Sequence, residues 1–415
     1  MKNTEAIILA AGAGTRMRTE MPKVLHRAGA ETLLGRVISS LKKSGVHDII
    51  TVTGYEGEKI KEEFADDVRF VDQENLLGSG DAVRVAVKAL KKSTEHVIVT
   101  CGDTPLINSG IFDELLEKHM EKKVSCTFLT CVTEEAFSYG RIIRTAAGEV
   151  EAITEEIDLL PEQKKIKEIN VGTYCFSRED LEKHVEEIEK NNVKNEFYLT
   201  DIVAILKKNG KKVASVDCNS WEAIGVNSRK EIAIVNNIIK NATLDRLMKE
   251  GVTIVDPATT YVGETARIEI DTIIFPNTVI EEDVTIGKNC RIGPFARLRP
   301  GTRLSDNVEI GNFVEICRSQ IGDRTRIKHH AYIGDAVVGS DVNVGAGVIT
   351  ANYDGTKKSR TVIEDGVFIG VGAVLIAPVN IGKLAKIGAG SVVTKNKDVS
   401  AGDTVLGVPA RPFKK

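Results

Sequence analysis

The 415-residue sequence predicts two folds in succession, an α/β half with a parallel sheet and then an all-β half wound as a β-helix of six-residue repeats. Three observations predict this. Val, Ile or Leu recurs at every sixth position through Val262, Ile268, Ile274, Ile280, Ile286, Ile292, Leu298, Leu304, Ile310 and Ile316. Near the other end, the apolar run Ala6-Ile7-Ile8-Leu9-Ala10 leads into a glycine-rich turn, Ala11-Gly12-Ala13-Gly14-Thr15-Arg16. Beyond that turn, short apolar runs alternate with charged amphipathic stretches.

The ladder comes first because neither common period explains it: an α-helix repeats its apolar face every 3.6 residues and a strand every 2. A period of six marks the hexapeptide β-helix, whose coils bury their apolar residues only by stacking on neighbours. After Ile316 the phase slips by one to Ile321, Ile327 and Ile333, and again to Val338 and Val344. The polar segment from Thr350 to Thr361 reads as a loop thrown out of a corner, and the period returns at Ile369, Leu375, Ile381, Ile387, Val393, Val399 and Val405. Glycine follows many rungs (Gly287, Gly293, Gly311, Gly322, Gly334, Gly339, Gly345, Gly370, Gly382, Gly388), which predicts tight corners with φ > 0 at those positions.

Composition narrows the function. Hydrophobic residues at 42% and charged residues at 28% describe a soluble globular chain long enough for two cores. A net charge of −3 argues against nucleic acid as a partner. No run reaches the apolar length of a membrane span, no signal sequence opens the chain, and the seven scattered cysteines read as reduced thiols. The expectation is a cytoplasmic protein without membrane insertion.

In the first half, the buried run delivers a loop whose backbone N–H groups can close around phosphate. It is not a Walker A loop, which needs Gly-Lys-Ser/Thr, nor a dinucleotide fingerprint, since Met17 stands where the third glycine belongs. A turn of this kind serves as readily in a purely structural role. Ile49–Thr53, Val97–Thr100 and Ala214–Val216 read as further strands and Glu58–Phe64 as a helix, so a site is expected at the strands' C-terminal ends. At one such end, Cys101-Gly102-Asp103-Thr104-Pro105 places a carboxylate where it suits a cation beside phosphate, or merely a turn. Ser228-Arg229-Lys230-Glu231 is a capping box, and the apolar spacing after it predicts one helix from Ser228 to Glu250, closed by Gly251.

The string Leu9-Ala10-Ala11-Gly12-Ala13-Gly14-Thr15-Arg16-Met17, followed after four residues by Pro22-Lys23-Val24-Leu25-His26, resembles the sugar-1-phosphate nucleotidyltransferases. Together with the ladder it resembles, over essentially the whole length, the bacterial bifunctional N-acetylglucosamine-1-phosphate uridyltransferase/glucosamine-1-phosphate acetyltransferases. The resemblance implies a Rossmann-like nucleotidyltransferase domain (1–227), a linker helix (228–250) and a left-handed β-helix acetyltransferase domain (251–415), assembled as a homotrimer. It implies Mg²⁺ held by Asp103 and Asn227, although an Asn at a helix start is by itself usually a cap. Lys23 and Arg16 match catalytic, phosphate-contacting positions, and Leu9, Ala10, Ala11, Gly12 and Gly14 the nucleotide loop. Gln73, Gly78 and Ser79 match the uracil segment, with Ser79 keeping the hydroxyl of the Thr common there. Gly140, Glu155 and Asn170 match sugar contacts, with Glu156 beside Glu155 as the competing register. Asn195-Glu196-Phe197-Tyr198-Leu199-Thr200-Asp201 is also family-like and reads as scaffold.

In the second half His329 matches the family's general base, a role that suits a neutral imidazole. Arg299, Tyr332 and Asn343 match sugar contacts, and Ala346, Asn352, Tyr353 and Ala389 acetyl-CoA contacts. Three positions depart from the pattern: a phosphate-contacting Lys is Cys317 here, with Arg318 next to it; a Ser is Val371; and a late Arg is Gly407. The implied activity is acetyl transfer from acetyl-CoA to glucosamine 1-phosphate, then uridylyl transfer from UTP. Two alternatives stand beside it. In one the β-helix takes a different acyl acceptor or serves only trimerisation; in the other a non-enzymatic nucleotide sensor sits on an oligomeric scaffold.

Overall fold

The computed structural model describes residues 3–134, 136 and 138–413, and it divides into two compact units between Asn236 and Asn237. The division falls inside a single helix, Arg229–Lys249.

The first unit is built on nine strands: β1 (Thr4–Leu9), β2 (Ile49–Thr53), β3 (Arg69–Asp72), β4 (His96–Cys101), β5 (Cys126–Val132), β6 (Arg141–Arg144), β7 (Val150–Thr154), β8 (Glu168–Ser177) and β9 (Val213–Asp217). They lie in the order β9-β5-β8-β4-β1-β2-β3, with the β6–β7 hairpin joined to β8. Alternate residues of β1 supply two cores: Ala6 and Ile8 join the one containing helices Leu33–Lys43 and Ser109–Lys122, and Ile7 joins the one containing Ser79–Val87 and Asp201–Lys208. Burial on both faces explains why β1 is apolar without alternation from Ala6 to Leu9 and why every residue of β2, Thr51 and Thr53 included, is buried.

The sheet is mixed, not wholly parallel as the alternation suggested. β8 runs antiparallel to both β4 and β5. It enters after the β6–β7 hairpin instead of a crossover helix, so the chain returns in the opposite sense. β1 and β4 remain parallel with Leu9 opposite Cys101, and this register brings the glycine-rich loop and the Gly102–Asp103 turn to one edge.

The helix Arg229–Lys249 starts as the capping box requires, with Ser228 N–H donating to Glu231 Oε2 (2.7 Å) and Lys230 N–H to Ser228 Oγ (3.2 Å). It ends in a Schellman motif: Val252 N–H reaches Leu247 O at 3.0 Å and Gly251 N–H reaches Met248 O at 3.2 Å, with Gly251 at φ 97°. Leu247 and Val252, the apolar pair of that motif, are both buried.

The second unit is a stack of short parallel strands in three sheets, each strand pairing with the one three further along the chain until the C-terminal end. There Lys386–Ile387 pairs with Thr404–Leu406, two strands on, and Arg411–Pro412 closes the sheet in the antiparallel sense. Val262 lies against Ile280, Ile280 against Leu298 and Leu298 against Ile316, one full coil apart each time, and every rung of the ladder is buried. At the two phase slips the coil shortens by a residue, so that Leu304 faces Ile321 across the first and Ile321 faces Val338 across the second. The excursion is narrower than the sequence suggested. Thr350 is itself a rung, paired with Leu375, its hydroxyl accepting from Gly334 N–H (2.8 Å) and donating to Gly334 O (3.1 Å). Thr361 already belongs to the strand Thr361–Ile363, which leaves 352–360 outside the coils.

The glycines that follow the rungs have a different reason from the one expected. Of the ten, only Gly293 has positive φ. The others lie beneath the next coil: a Cβ would sit 1.8 Å from Lys328 O at Gly311, 2.5 Å from Ala389 N at Gly370 and 2.6 Å from Ala401 N at Gly382. Left-handed backbone falls a few residues later in the corner, at Asp271, Asn277, Asp283, Asn289, Asn307 and Asp341, types that tolerate it by local hydrogen bonding. Inside the corners buried hydroxyls pair with the backbone; Thr325 Oγ1 donates to Gly339 O (2.8 Å) and accepts from Val342 N–H (3.1 Å). Gly311→Ala should therefore cost about 2–3 kcal/mol. Gly347→Asn, at φ 73° with nothing nearer than 3.7 Å, should stay within about 0.5 kcal/mol of wild type in urea unfolding. Equal stabilities for the two variants would contradict the stacking argument.

Candidate functional sites

In the first unit the glycine-rich loop leaves β1 at Leu9 and Ala10, whose N–H is held by Val52 O (3.0 Å). Ala11 is buried, Gly12 faces open space, and Gly14 takes φ 57° at the start of a short turn of 3-10 helix, Thr15–Met17. A Cβ on Gly14 would come within 2.7 Å of Lys23 Cβ, so the lysine stem lies against the loop. Its ammonium contacts Asp103 Oδ2 and lies 3.1 Å from Asn227 Oδ1. Asn227 reaches that point because Val226 N–H donates to Asp103 O (2.8 Å). Lys23, Asp103 and Asn227, distant in sequence, thus meet at one place, while Arg16 stays exposed outside it.

Among the described residues no three His, Cys, Asp or Glu side chains converge on a possible metal position. Asp103 and Asn227 offer two hard oxygens that already converge on one cation, the Lys23 ammonium. That donor set fits Mg²⁺, which relies on few protein oxygens and takes its other ligands from water and phosphate.

Around this centre lie the remaining positions. Gln73 is buried and donates to Gly78 O (3.0 Å) and Asp81 Oδ2 (2.8 Å). Gly78 has φ 112°, and a Cβ there would strike Phe197 O at 2.5 Å. Ser79 Oγ accepts from Leu199 N–H (3.0 Å). Asn170 N–H donates to Gly140 O (2.9 Å), and its amide reaches the Tyr174 hydroxyl (2.8 Å). Glu155 accepts from Thr200 Oγ1 (3.0 Å), and burial raises its carboxyl above the ordinary range. Glu156 instead pairs with Arg141 at 2.8 Å. Burial likewise pushes the nearby Cys101 thiol up to about 12, with Asp103 adding to the effect.

In the second unit His329 is exposed and its Nδ1 lies 2.8 Å from Asn312 Oδ1 in the coil below. The amide oxygen can only accept, so Nδ1 carries the proton and Nε2 is the basic nitrogen. A cavity of about 250 Å³ opens beside it, lined by Phe275, Arg291, Glu309 and Lys328 among others. Arg299 pairs with Glu315 (2.8 Å). Arg318 holds Asp335 through two bonds of 2.6 and 2.8 Å and lies 2.8 Å from Cys317 Sγ, so its guanidinium covers the buried thiol. Asn352 also donates to Asp335, and a Cβ on Gly334 would meet the Tyr332 hydroxyl at 2.5 Å and Asn352 Nδ2 at 2.9 Å. Asn343 is exposed, one coil above Arg326. Ala346 and Ala389 belong to one column of stacked corners with Val371 between them: Gly372 N–H bonds Ala346 O and Gly390 N–H bonds Val371 O, both at 2.7 Å. Tyr353 stands exposed in the excursion, and Gly407 takes φ 93° near the end of the coils.

Several partners escaped sequence reasoning. Thr200 and Leu199, read as scaffold, touch Glu155 and Ser79 directly. The Tyr139 hydroxyl accepts from Gly225 N–H (3.1 Å) and so braces the loop that carries Asn227. Asn312, Glu315 and Asp335 each hold a candidate side chain. Their only signal was coil arithmetic: in the shortened coils Asn312 stacks on His329.

Residues 5–233 match the nucleotidyl transferase family, and residues 265–300, 285–318 and 360–395 match the bacterial transferase hexapeptide (six repeats) family. The class is therefore a nucleotidyltransferase domain joined to a left-handed β-helix of the hexapeptide transferases. Among curated relatives, Bifunctional protein GlmU of Geobacillus thermodenitrificans is 42% identical over 94% of this chain and 92% of its own length. Those of Acetivibrio thermocellus (40%; 94% and 92%) and Bacillus subtilis (37%; 94% and 93%) are similar along the same span. The chain belongs to the bifunctional GlmU family. No helix among the described residues is long and apolar enough to cross a membrane.

Proposed function

We propose that the chain makes UDP-N-acetylglucosamine in two steps, one per unit. The β-helix moves the acetyl group of acetyl-CoA to the amine of glucosamine 1-phosphate, and the α/β unit joins the product to the uridylyl group of UTP with release of pyrophosphate. The convergence of Lys23, Asp103 and Asn227 beside the Gly12–Gly14 loop carries the second assignment. In that step the sugar phosphate attacks the α-phosphorus in line, and catalysis is positioning and charge neutralisation without a protein nucleophile. Asp103 and Asn227 would hold Mg²⁺, which when bound would supply positive charge beside the triphosphate. Lys23 and Arg16 neutralise the leaving pyrophosphate, the loop N–H groups orient it, Gln73, Gly78 and Ser79 hold uracil, and Gly140, Glu155 and Asn170 hold the sugar.

For acetyl transfer, His329 Nε2 takes the proton from the attacking amine while Asn312 holds the ring. Arg299, Tyr332 and Asn343 bind the sugar phosphate, and Ala346, Asn352, Tyr353 and Ala389 line the acetyl-CoA path. Arg318 covers the position of the family's lysine, but Asp335 already neutralises it, so the net phosphate attraction is weaker than an unpaired lysine would give.

Homotrimeric assembly is supported by Phe295, Phe313 and His330, which stack in one column at 5.3 and 5.8 Å between rings. All three have left-handed backbone, and both phenylalanines are about half exposed. An unfavourable conformation that presents aromatic surface to water suits a face covered by another copy of the chain.

Three outcomes follow. Asp103→Ala should abolish pyrophosphate release while leaving thiol release from acetyl-CoA, and His329→Ala should do the reverse; loss of both in either variant would contradict two independent sites. Because burial favours the neutral form of Glu155, acidification should protonate it at a higher pH than an ordinary Glu of about 4.3. The KM for N-acetylglucosamine 1-phosphate should then climb as pH falls toward 5, and Glu155→Gln should remove that limb while keeping the one due to the sugar phosphate; identical profiles would overturn the assignment. Asn at positions 295 and 313 suits the corner backbone, so the double variant Phe295→Asn/Phe313→Asn should fold but sediment as single chains and lose acetyl transfer. An unchanged mass would exclude this column from the interface.

A further inference from the structure

We propose that Lys23 is a resident cation, holding the metal position of the uridylyl site until nucleotide draws it away, so that metal and nucleotide bind with positive coupling. The inference rests on the reading of Asp103 and Asn227 as metal ligands.

The Lys23 and Asp103 side chains are only 14% and 18% exposed. A carboxylate so secluded is strongly destabilising without a counter-charge, and Lys23 provides it. The ammonium is a compact point charge with three donors, and it occupies the convergence point of Asp103 Oδ2 and Asn227 Oδ1, the two oxygens a metal would use. Two cations cannot share that point, because like charges a few ångströms apart repel strongly where water is scarce. A metal arriving alone must evict Lys23 and leave its ammonium without a partner in a closed space. A triphosphate removes this obstacle by offering oxygens to the displaced ammonium.

The path for the exchange is short. Lys23 begins a turn held by Pro22, and its stem rests on Gly14 of the phosphate loop. Rotation of the stem alone, on the timescale of side-chain rotamers, carries the ammonium from the carboxylate toward that loop. The exchange leaves every charge paired: metal with Asp103, lysine with phosphate. By linkage, whatever factor nucleotide adds to metal affinity, metal adds to nucleotide affinity.

The test is Mn²⁺ binding without nucleotide, followed by the electron paramagnetic resonance of the free ion. Lys23→Met should bind Mn²⁺ about 5- to 100-fold more tightly than wild type, a usual span for coupling between ligands. Lys23→Gln, which keeps a polar tip, should show the same tightening. Arg16→Met removes an exposed positive charge of the same loop that makes no hydrogen bond to either oxygen among the described residues, and it should bind Mn²⁺ as wild type does. Equal affinity in wild type and both Lys23 variants would overturn the proposal. Equal tightening in Arg16→Met would also overturn it, since general repulsion would then suffice. Adding Asp103→Asn to Lys23→Met should weaken Mn²⁺ binding severely; if it does not, the reading of Asp103 as a ligand is what fails.

Discussion

The distance between neighbouring coils is the constraint on which the second unit depends. Parallel strands pair at a spacing of about 4.8 Å, and here the corners must stack as closely as the faces between them. No side chain can stand beneath the backbone of the next coil, which is why Gly311, Gly370 and Gly382 lack one. Corner backbone that cannot pair with a strand finds buried hydroxyls such as those of Thr325 and Thr350. The same lattice aligns Asn312 under His329 and Glu315 under Tyr332. The groups assigned to acetyl transfer are thus placed by coil length rather than by any local motif.

The first unit places its site with fewer contacts. One register, Leu9 opposite Cys101, sets the phosphate loop beside Asp103, and one backbone hydrogen bond from Val226 adds Asn227. Burial then determines the electrostatics. Enclosed carboxylates must either find a cation, as Asp103 does with Lys23, or hold their protons more firmly, as Glu155 does.

Most of the architecture was legible because its rules are periodic. A rung every sixth residue identifies the coils, and apolar runs without alternation identify strands buried on both faces. The sense of β8 was not legible, since an apolar strand reads alike in either direction and only its connection distinguishes them. The glycines were read correctly as corner features but for the wrong cause: absence of a side chain serves close approach as well as it serves unusual dihedrals, and sequence cannot separate the two. Thr350 is polar and so reads as part of the excursion, although its hydroxyl and methyl fill a rung much as Val would. At the candidate sites a signature nominates residues from sequence, whereas their holders Thr200 and Tyr139 carry none, and Asn312 and Asp335 only the spacing of one shortened coil.

The two phase slips are neighbours in space. They fall at the same corner in consecutive coils, the stretch after Ile316 and the stretch after Ile333, which lie one above the other. Below them the corner after Leu298 has its full length, and above them the chain swings outward through 352–360. A corner with one residue fewer cannot project as far, so two short corners between longer neighbours cut a step into the prism. Arg299, Arg318, Asp335 and Asn352 stand around that step. The step follows from corner length alone, and the side chains that border it are tied to one another across the coils, Arg318 and Asn352 both on Asp335.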